Sequence, residues 1–147
     1  MRRLLFATTA LVPLGLASAT ANPLGGTVVG GSAAISGTGT ANVTVNQNTQ
    51  NAVINWNSFN IGAGERTQFV QPNSTSTVLN RVTGDVNASQ IYGTLNANGR
   101  VFLTNPYGVL IGNGAVINTA GFLATSHDIS NTDFMAGRYN FNIPGRP

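Results

Sequence analysis

From Thr27 onward the chain consists of short apolar and β-branched runs that are interrupted by Gly, Asn, Ser and Thr. No stretch keeps the i, i+3, i+4, i+7 spacing of an amphipathic helix for three turns, so the pattern predicts strands. The predicted strands are Thr27–Val29, Ala41–Val45, Val53–Trp56, Thr67–Gln71, Thr77–Val82, Ile91–Leu95, Arg100–Thr104, Val109–Ile111, Ala115–Asn118, Phe122–Thr125 and Tyr139–Asn142. The predicted fold class is therefore all-β.

The spacing of these runs suggests how the strands are arranged. Successive apolar positions fall at intervals of eight, seven and seven residues at Val101, Val109, Val116 and Leu123. Three such strands span about 22 residues, the length of one coil in a three-sided β-solenoid. A sandwich or barrel of ordinary hairpins fits the periodicity equally well.

A solenoid makes specific predictions for its corners and its interior. Asn tolerates the left-handed conformation and bonds to local backbone, so Asn is expected at corners. The expected corner residues are Asn96, Asn98, Asn105, Asn113 and Asn118. The expected interior residues are Val101, Leu103, Leu110, Ile117 and Leu123.

The first 21 residues have the pattern of a secretory signal peptide. Arg2 and Arg3 precede an apolar run over Leu4–Leu16, which small residues follow at Ala17–Ala21. The apolar run is shorter than the roughly 20 residues that span a bilayer. We expect cleavage after Ala21, which leaves residues 22–147 as an exported domain without cysteine and hence without disulfides.

Charge then narrows the possible partners. Charged residues make up only 7% of the chain, and the net charge is +3. Without Arg2 and Arg3, five arginines face four acids, so the exported part carries +1 (5 − 4). Because no basic stripe remains to neutralise phosphates, nucleic-acid binding is not predicted.

The residue types needed for catalysis are sparse. His127 is the single histidine, there is no cysteine, and the acids Glu65, Asp85, Asp128 and Asp133 are scattered. This composition indicates neither a nucleophile–base triad nor a glycosidase pair nor a calcium cage. We therefore predict no enzymatic activity, no cofactor, no metal and no small-molecule ligand.

Two segments are more specific than the periodicity. The first is Ala52–Gly62, which reads AVINWNSFNIG, and the second is Gly99–Gly112, which reads GRVFLTNPYGVLIG. With Val78–Val82, Ile117–Thr125 and Asp128–Asn131, in this order and spacing, they resemble the N-terminal secretion domain of filamentous-haemagglutinin-like exoproteins. These are the secreted partners of two-partner secretion systems, and the resemblance is nearest to the high-molecular-weight adhesin type.

The resemblance implies a right-handed parallel β-helix with an N-terminal cap over residues 22–147, incomplete at its C-terminal end. It implies a place at the front of an adhesin, haemagglutinin, haemolysin or contact-dependent toxin of a Gram-negative bacterium. The implied route is export by the Sec machinery, cleavage by signal peptidase, and recognition in the periplasm by the POTRA domains of an outer-membrane transporter. The chain then folds outside, where it is secreted or stays at the cell surface.

The family's hallmark Asn-Pro-Asn-Gly-Ile falls on Asn105, Pro106, Tyr107, Gly108 and Val109, with Tyr107 and Val109 as departures. Asn, Pro and Gly at these positions favour a type I turn, which any tight corner could use. The resemblance implies that the turn also serves transporter recognition or early folding.

A secondary motif in the resemblance comprises Asn55, Trp56, Phe59, Asn60 and Ile61. Trp56 and Phe59 invite a ligand-stacking interpretation. In an amphipathic strand followed by a bend, however, they are more typical of core or cap residues. We therefore predict that both rings are buried.

Other functional classes are weighed against secretion targeting. A self-contained carbohydrate-binding or carbohydrate-active β-helix would be favoured by a cluster of acids on one face, and the sequence has none. An integral outer-membrane protein needs strands of about ten residues with aromatic girdles, and the runs here are shorter. Secretion targeting remains the leading interpretation.

Overall fold

The computed structural model describes residues 22–145, whose regular secondary structure is almost entirely β-strand. Within that range lie twelve strands and one short helix. They are β1 Thr27–Gly30, β2 Ala33–Ser36, β3 Asn42–Gln47, β4 Asn51–Trp56, β5 Arg66–Val70, β6 Thr77–Val82, β7 Ser89–Ile91, β8 Thr94–Ala97, β9 Arg100–Thr104, β10 Val109–Ile111, β11 Val116–Asn118, β12 Gly121–Thr125 and α1 Asn131–Met135. The all-β prediction is confirmed, while the leader predicted for residues 1–21 lies outside the described residues.

Parallel pairing between coils produces three sheets. One sheet has the order β1-β4-β6-β9-β12, the second β11-β8-β5-β3-β2, and the third consists of β10 and β7. Leu95 pairs with Ile117 and Val101 with Phe122, offsets of 22 (117 − 95) and 21 (122 − 101) residues. The chain is thus a parallel β-solenoid of about four coils, which begin at β3, β5, β8 and β11, and the hairpin alternative is wrong.

The first coil is capped by antiparallel strands. β1 pairs with β4, and β2 pairs with β3. Both strands of the first coil, β3 and β4, therefore have a partner on the side away from the second coil. Asn22 adds a buried polar contact, because its Nδ2 donates to the Thr40 carbonyl at 3.0 Å and its Oδ1 accepts from the Thr67 hydroxyl at 3.2 Å. The predicted N-terminal cap is confirmed, although β2 was not among the predicted strands.

Inward side chains stack in rows from coil to coil. One row comprises Ala52, Val78, Val101 and Phe122, which pair in register. The first three are fully buried, and burial of a Val side chain contributes about 1.5–3 kcal/mol. Because the sequence has no cysteine, such rows stabilise the solenoid without disulfides.

The predicted interior is confirmed in part. Val101 and Leu103 are fully buried, and Ile117 is partly buried against the same core. Val101 and Leu103 lie two residues apart in β9 and therefore face the same side of the sheet, while Ile117 lies between the exposed Val116 and Asn118 in β11.

Two of the predictions for the interior are wrong. Leu110 and Leu123 are 48% and 37% exposed, whereas Val109 and Phe122 pack against the core. Leu123 pairs with Phe102 and so shares the outer face of its sheet. In each short strand the inward position is one residue earlier than predicted, and a shift of one residue turns a side chain to the opposite face.

Some predicted boundaries are also corrected. The strand predicted at Ile91–Leu95 is two strands, β7 and β8, because the chain turns at Tyr92 and Gly93. A Cβ on Gly93 would lie 2.3 Å from the Gly62 carbonyl oxygen, so the corner requires glycine. Asn96 lies inside β8 rather than at a corner, Asn118 is the last residue of β11, and Tyr139–Asn142 forms no strand.

A segment that we call the strap, residues 128–143, folds back over the sheet of β4, β6 and β9. Its two ends meet, because Asp128 and Ile143 form an antiparallel bridge. The sequence pattern did not predict its helix α1, which has only five residues. Ser130 caps that helix, with its side chain accepting from the Asp133 N–H at 3.1 Å.

The strap covers an apolar row on the outer face of this sheet. Val53, Leu79 and Phe102 pair in register, and the first two are fully buried. The Phe102 ring meets Phe134 edge-on at 6.1 Å and Tyr139 at 5.3 Å. The solenoid therefore has a second, external core.

Polar contacts from three successive coils hold the strap. Arg81 pairs with Asp128 at 2.9 Å, and the Tyr139 hydroxyl donates to Asn51 Oδ1 at 2.9 Å. The Arg100 guanidinium lies 5.5 Å from the centre of the Tyr139 ring.

Among residues 22–145, no helix is long and apolar enough to cross a lipid bilayer.

Candidate functional site: the Asn105–Gly108 turn

The turn predicted at Asn105–Gly108 connects β9 to β10. The Gly108 N–H donates to the Asn105 carbonyl at 2.9 Å, which closes the turn. Asn105 Oδ1 also accepts from the Tyr107 N–H at 2.9 Å, as predicted for Asn at the first position. Gly108 has a φ of +101°, a conformation that β-branched residues strongly disfavour.

Asn105 is fully buried and joins the turn to the preceding coil. Its Nδ2 donates to the Asn87 carbonyl at 3.0 Å and to the Ser89 hydroxyl at 3.0 Å. The Ser89 N–H in turn donates to the Gly108 carbonyl at 3.0 Å. These bonds fix the turn against the segment 87–89.

The same residue also reaches the following coil. The Asn105 N–H donates to the Thr125 carbonyl at 3.1 Å. Hydrogen bonds from three successive coils thus hold the turn. The sequence could not reveal Asn87, Ser89 and Thr125 as partners, because their proximity depends on how the coils stack.

The remaining motif residues differ in what they contribute. Val109 is partly buried against the core, while the Tyr107 side chain is 37% exposed. A Cβ on Gly108 would meet only the Ala88 Cβ at 4.0 Å, so backbone conformation rather than space restricts that position. The fold requires Asn105 and Gly108 and leaves the Tyr107 side chain outward.

The secondary motif is divided between core and corner. Trp56, Phe59 and Ile61 are fully buried, which confirms the prediction that both aromatic rings belong to the core. Trp56 meets Phe59 edge-on at 5.8 Å and donates from Nε1 to Asn80 Oδ1 at 2.9 Å. These three side chains are not displayed to a partner in the folded domain.

Both Asn residues of the secondary motif act as acceptors. Asn55 Oδ1 accepts from Arg81 Nη1 at 3.0 Å, and Asn60 Oδ1 accepts from the Gln90 N–H at 2.8 Å. Each bond links the first coil to the second. A role for this motif in transporter recognition remains a prediction.

An open cleft of about 370 Å³ lies beside the turn. Its walls are Arg81–Val86, Thr104, Pro106, Tyr107 and Asp128. The strap thus contributes one wall through Asp128, and the turn contributes another. Among residues 22–145, no group of three or more His, Cys, Asp or Glu side chains is placed to hold a metal ion.

The chain is similar in sequence to known proteins. A family model described as "TPS secretion domain" matches residues 19–145. Two heme/hemopexin-binding proteins of Haemophilus influenzae are 49% identical over 113 residues and 46% identical over 99 residues. These matches cover 77% and 67% of this chain but only 12% and 11% of the relatives, so the chain spans about an eighth of their length.

A solved structure agrees with the fold. The HMW1 secretion domain from Haemophilus influenzae matches with a TM-score of 0.72 at 43% sequence identity. The match covers 79% of this chain and 30% of that chain. None of these matches supports the carbohydrate-binding alternative.

Proposed function

We propose, on the premise that this chain belongs to the family of TPS secretion domains, that the Asn105–Gly108 turn takes part in transporter recognition or in the first folding after export. The chain is a two-partner secretion targeting domain, and proteins with this domain leave Gram-negative bacteria through an outer-membrane transporter. The observation that supports a role for the turn is the set of contacts that Asn105 makes with three coils.

The finer steps of the route are also part of the proposal. Cleavage after Ala21 by signal peptidase follows Sec export, and the chain crosses the periplasm before it meets the POTRA domains of its transporter. The domain leads an adhesin-like exoprotein and itself performs no catalysis. Other parts of that exoprotein bind or attack its target.

Recognition by POTRA domains is expected to depend on extended backbone rather than on charge. The exported chain has a net charge of +1 (5 − 4) and no lysine, so long-range electrostatic steering is weak. Extended segments offer unpaired N–H and C=O groups together with apolar side chains at alternate positions, which suits strand addition. Folding into coils uses the same backbone groups, as the parallel registers of β4, β6 and β9 illustrate.

This argument predicts weak salt dependence and a preference for the unfolded chain. Affinity for the transporter's periplasmic region should change little between about 50 and 500 mM salt, although screening of exposed charges rises steeply over that range. The chain without its leader is measured freshly diluted from denaturant and again after refolding. A steep loss of affinity with salt, or tighter binding by the refolded chain, would contradict this mechanism.

A second prediction tests the turn itself. Asn105→Ala leaves the buried Ser89 hydroxyl and the partly buried Asn87 carbonyl without their donor, and an unpaired group that is buried costs about 1–3 kcal/mol. Gly108→Val forces a β-branched residue to positive φ. Both variants, placed in the exoprotein that carries this domain, should export less than their loss of stability explains.

Matched core variants provide the control. Ile91→Val and Leu103→Ala are expected to cost about 0.5–1.5 and 2–5 kcal/mol, which brackets the turn variants without altering the turn. Secreted protein and thermal stability are measured for all four variants. If the turn variants fall on the same line of export against stability as the core variants, the turn is only a corner.

A further inference from the structure

The sequence contains two Asn-Gly pairs, and both lie at corners of the solenoid. Asn98-Gly99 connects β8 to β9, and Asn113-Gly114 lies between β10 and β11. Both asparagine residues are exposed. Asparagine before glycine can lose ammonia spontaneously, because glycine has no side chain that shields its nitrogen from the asparagine amide. Which pair reacts in the folded domain therefore depends on how firmly each corner is held.

The Asn98-Gly99 corner is held at every group that the reaction needs. Asn98 Oδ1 accepts from the Gln71 N–H, and Asn98 Nδ2 donates to the Gln71 carbonyl, both at 2.7 Å. The Gly99 N–H donates to Gln71 Oε1 at 2.9 Å. Gly99 is buried, and a Cβ placed on it would lie 2.7 Å from both Gln71 Oε1 and the Ser76 carbonyl oxygen. The Asn98 amide and the Gly99 nitrogen therefore cannot approach each other unless these bonds break.

The Asn113-Gly114 corner lacks such contacts. The Ala115 N–H donates to the Gly112 carbonyl at 3.3 Å, a long bond that closes the turn. Within residues 22–145, neither the Asn113 side chain nor the Gly114 N–H makes a hydrogen bond. Gly114 has a φ of +83°, and a Cβ placed on it would meet no described atom within 4 Å beyond its chain neighbours. The amide of Asn113 and the nitrogen of Gly114 are thus both unhindered.

We propose that Asn113 is a site of spontaneous deamidation in the folded domain, whereas the bonds to Gln71 protect Asn98. The two corners have the same pair of residue types and exposed asparagines, so the difference between them is structural. This inference is independent of the role that we assign to the Asn105–Gly108 turn in export.

The reaction consumes only water. The Gly114 nitrogen loses its proton to water or hydroxide and attacks Asn113 Cγ. The Cγ–Nδ2 bond breaks, and Nδ2 takes up a proton and leaves as ammonia, so that a five-membered succinimide ring remains. Water then adds to one of the two ring carbonyls and breaks its bond to the Gly114 nitrogen, which regains a proton. The product is aspartate or isoaspartate, and no electrons are transferred.

The product should keep the fold and change the charge. The Gly112 N–H donates to the Ile91 carbonyl at 2.8 Å, and the Val116 N–H donates to the Gly93 carbonyl at 3.0 Å. These bonds hold the last coil to the preceding coil on both sides of the altered residue. The new carboxylate changes the net charge of the exported part from +1 to 0 (1 − 1). Ion exchange therefore separates the deamidated domain from the unmodified one.

The test follows both corners in the exoprotein that carries this domain, purified after export and incubated folded in mildly alkaline buffer. Samples are then denatured and digested with trypsin, which cleaves after Arg81, Arg100 and Arg138. Asn98 falls on peptide 82–100 and Asn113 on peptide 101–138, and mass spectrometry measures the conversion of amide to acid in each. Peptide 101–138 should convert at least about tenfold faster, because each bond that must break at Asn98 slows its reaction by up to about tenfold. A sample digested before incubation gives the background.

Two controls assign the reaction to one residue and its protection to the fold. Asn113→Gln keeps an amide but would have to form a six-membered ring, so peptide 101–138 should then stay unconverted. The other asparagines of that peptide are not followed by glycine; they are Asn105, Asn118 and Asn131. In urea the bonds to Gln71 are lost, and both peptides of the unchanged protein should convert at similar rates.

Three results would overturn the proposal. The first is conversion of peptide 82–100 in the folded protein as fast as that of peptide 101–138. The second is conversion of peptide 101–138 that persists in Asn113→Gln. The third is no conversion in the folded protein over a time in which the urea-unfolded protein converts both peptides.

Discussion

Trp56→Ala is expected to lower the free energy of unfolding by about 3–5 kcal/mol, the range for large-to-small changes at buried aromatic residues. The Trp56 ring is fully buried and meets the Phe59 ring at 5.8 Å. Its loss leaves a cavity in the first coil. It also removes the Nε1–H group from which Asn80 Oδ1 accepts a hydrogen bond at 2.9 Å. Urea unfolding followed by circular dichroism measures the change.

Trp56→Phe separates the two contributions. It keeps most of the apolar packing but leaves Asn80 Oδ1 unpaired, so we expect an intermediate loss of about 1–3 kcal/mol. Val116→Ala, at a position that is 52% exposed, should stay within about 0.5 kcal/mol of the unchanged chain. A loss below about 1 kcal/mol for Trp56→Ala would mean that this ring does not organise the first coil.

Phe134→Ala should have an effect of similar size through the strap, again about 3–5 kcal/mol. Phe134 is fully buried although it lies outside the solenoid, because it packs on Phe102 and Tyr139. Its removal exposes the apolar row that includes Val53 and Leu79. We also expect proteases to cleave the strap before any coil, since the strap then loses its main apolar anchor.

Arg138→Ala is the matched control in the same segment. Arg138 pairs with Asp133 at 2.9 Å, but their side chains are 59% and 41% exposed. Exposed pairs contribute about 0–1 kcal/mol, so this variant should unfold nearly as the unchanged chain does. Equal losses for Arg138→Ala and Phe134→Ala would contradict the assignment of strap stability to aromatic packing.

The sequence predicted the solenoid well where strand and coil lengths decide the fold. Val101 and Leu103 alternate with outward residues, and the spacing of about 22 residues matches the pairing of Leu95 with Ile117. Leu110 and Leu123 were assigned to the wrong face because their strands, like β9, contain consecutive apolar residues, and such runs do not fix which face is inward. The strap helix was not predicted, because five residues are too few to show a helical period.

The candidate site was predictable to the same extent. The turn at Asn105–Gly108 follows from local chemistry, since Asn, Pro and Gly each favour their position. The bonds from Asn105 to Asn87 and Ser89 span 18 and 16 residues, and they depend on the register of stacked coils. The cleft beside the turn, which Asp85 and Tyr107 line, could not be predicted, because the sequence does not show which loops meet at one corner.

The strap also limits how this fold can change in evolution. A plain solenoid tolerates duplication of a whole coil, because each coil contacts only its neighbours. Here the strap binds Asn51 in β4, Arg81 in β6 and Arg100 in β9, three anchors in successive coils. An extra coil between β4 and β9 would move the anchors apart by about 4.8 Å, and the strap could no longer reach all three. Coil number between β4 and β9 is therefore fixed, and tandem duplication of a coil is expected only outside that range.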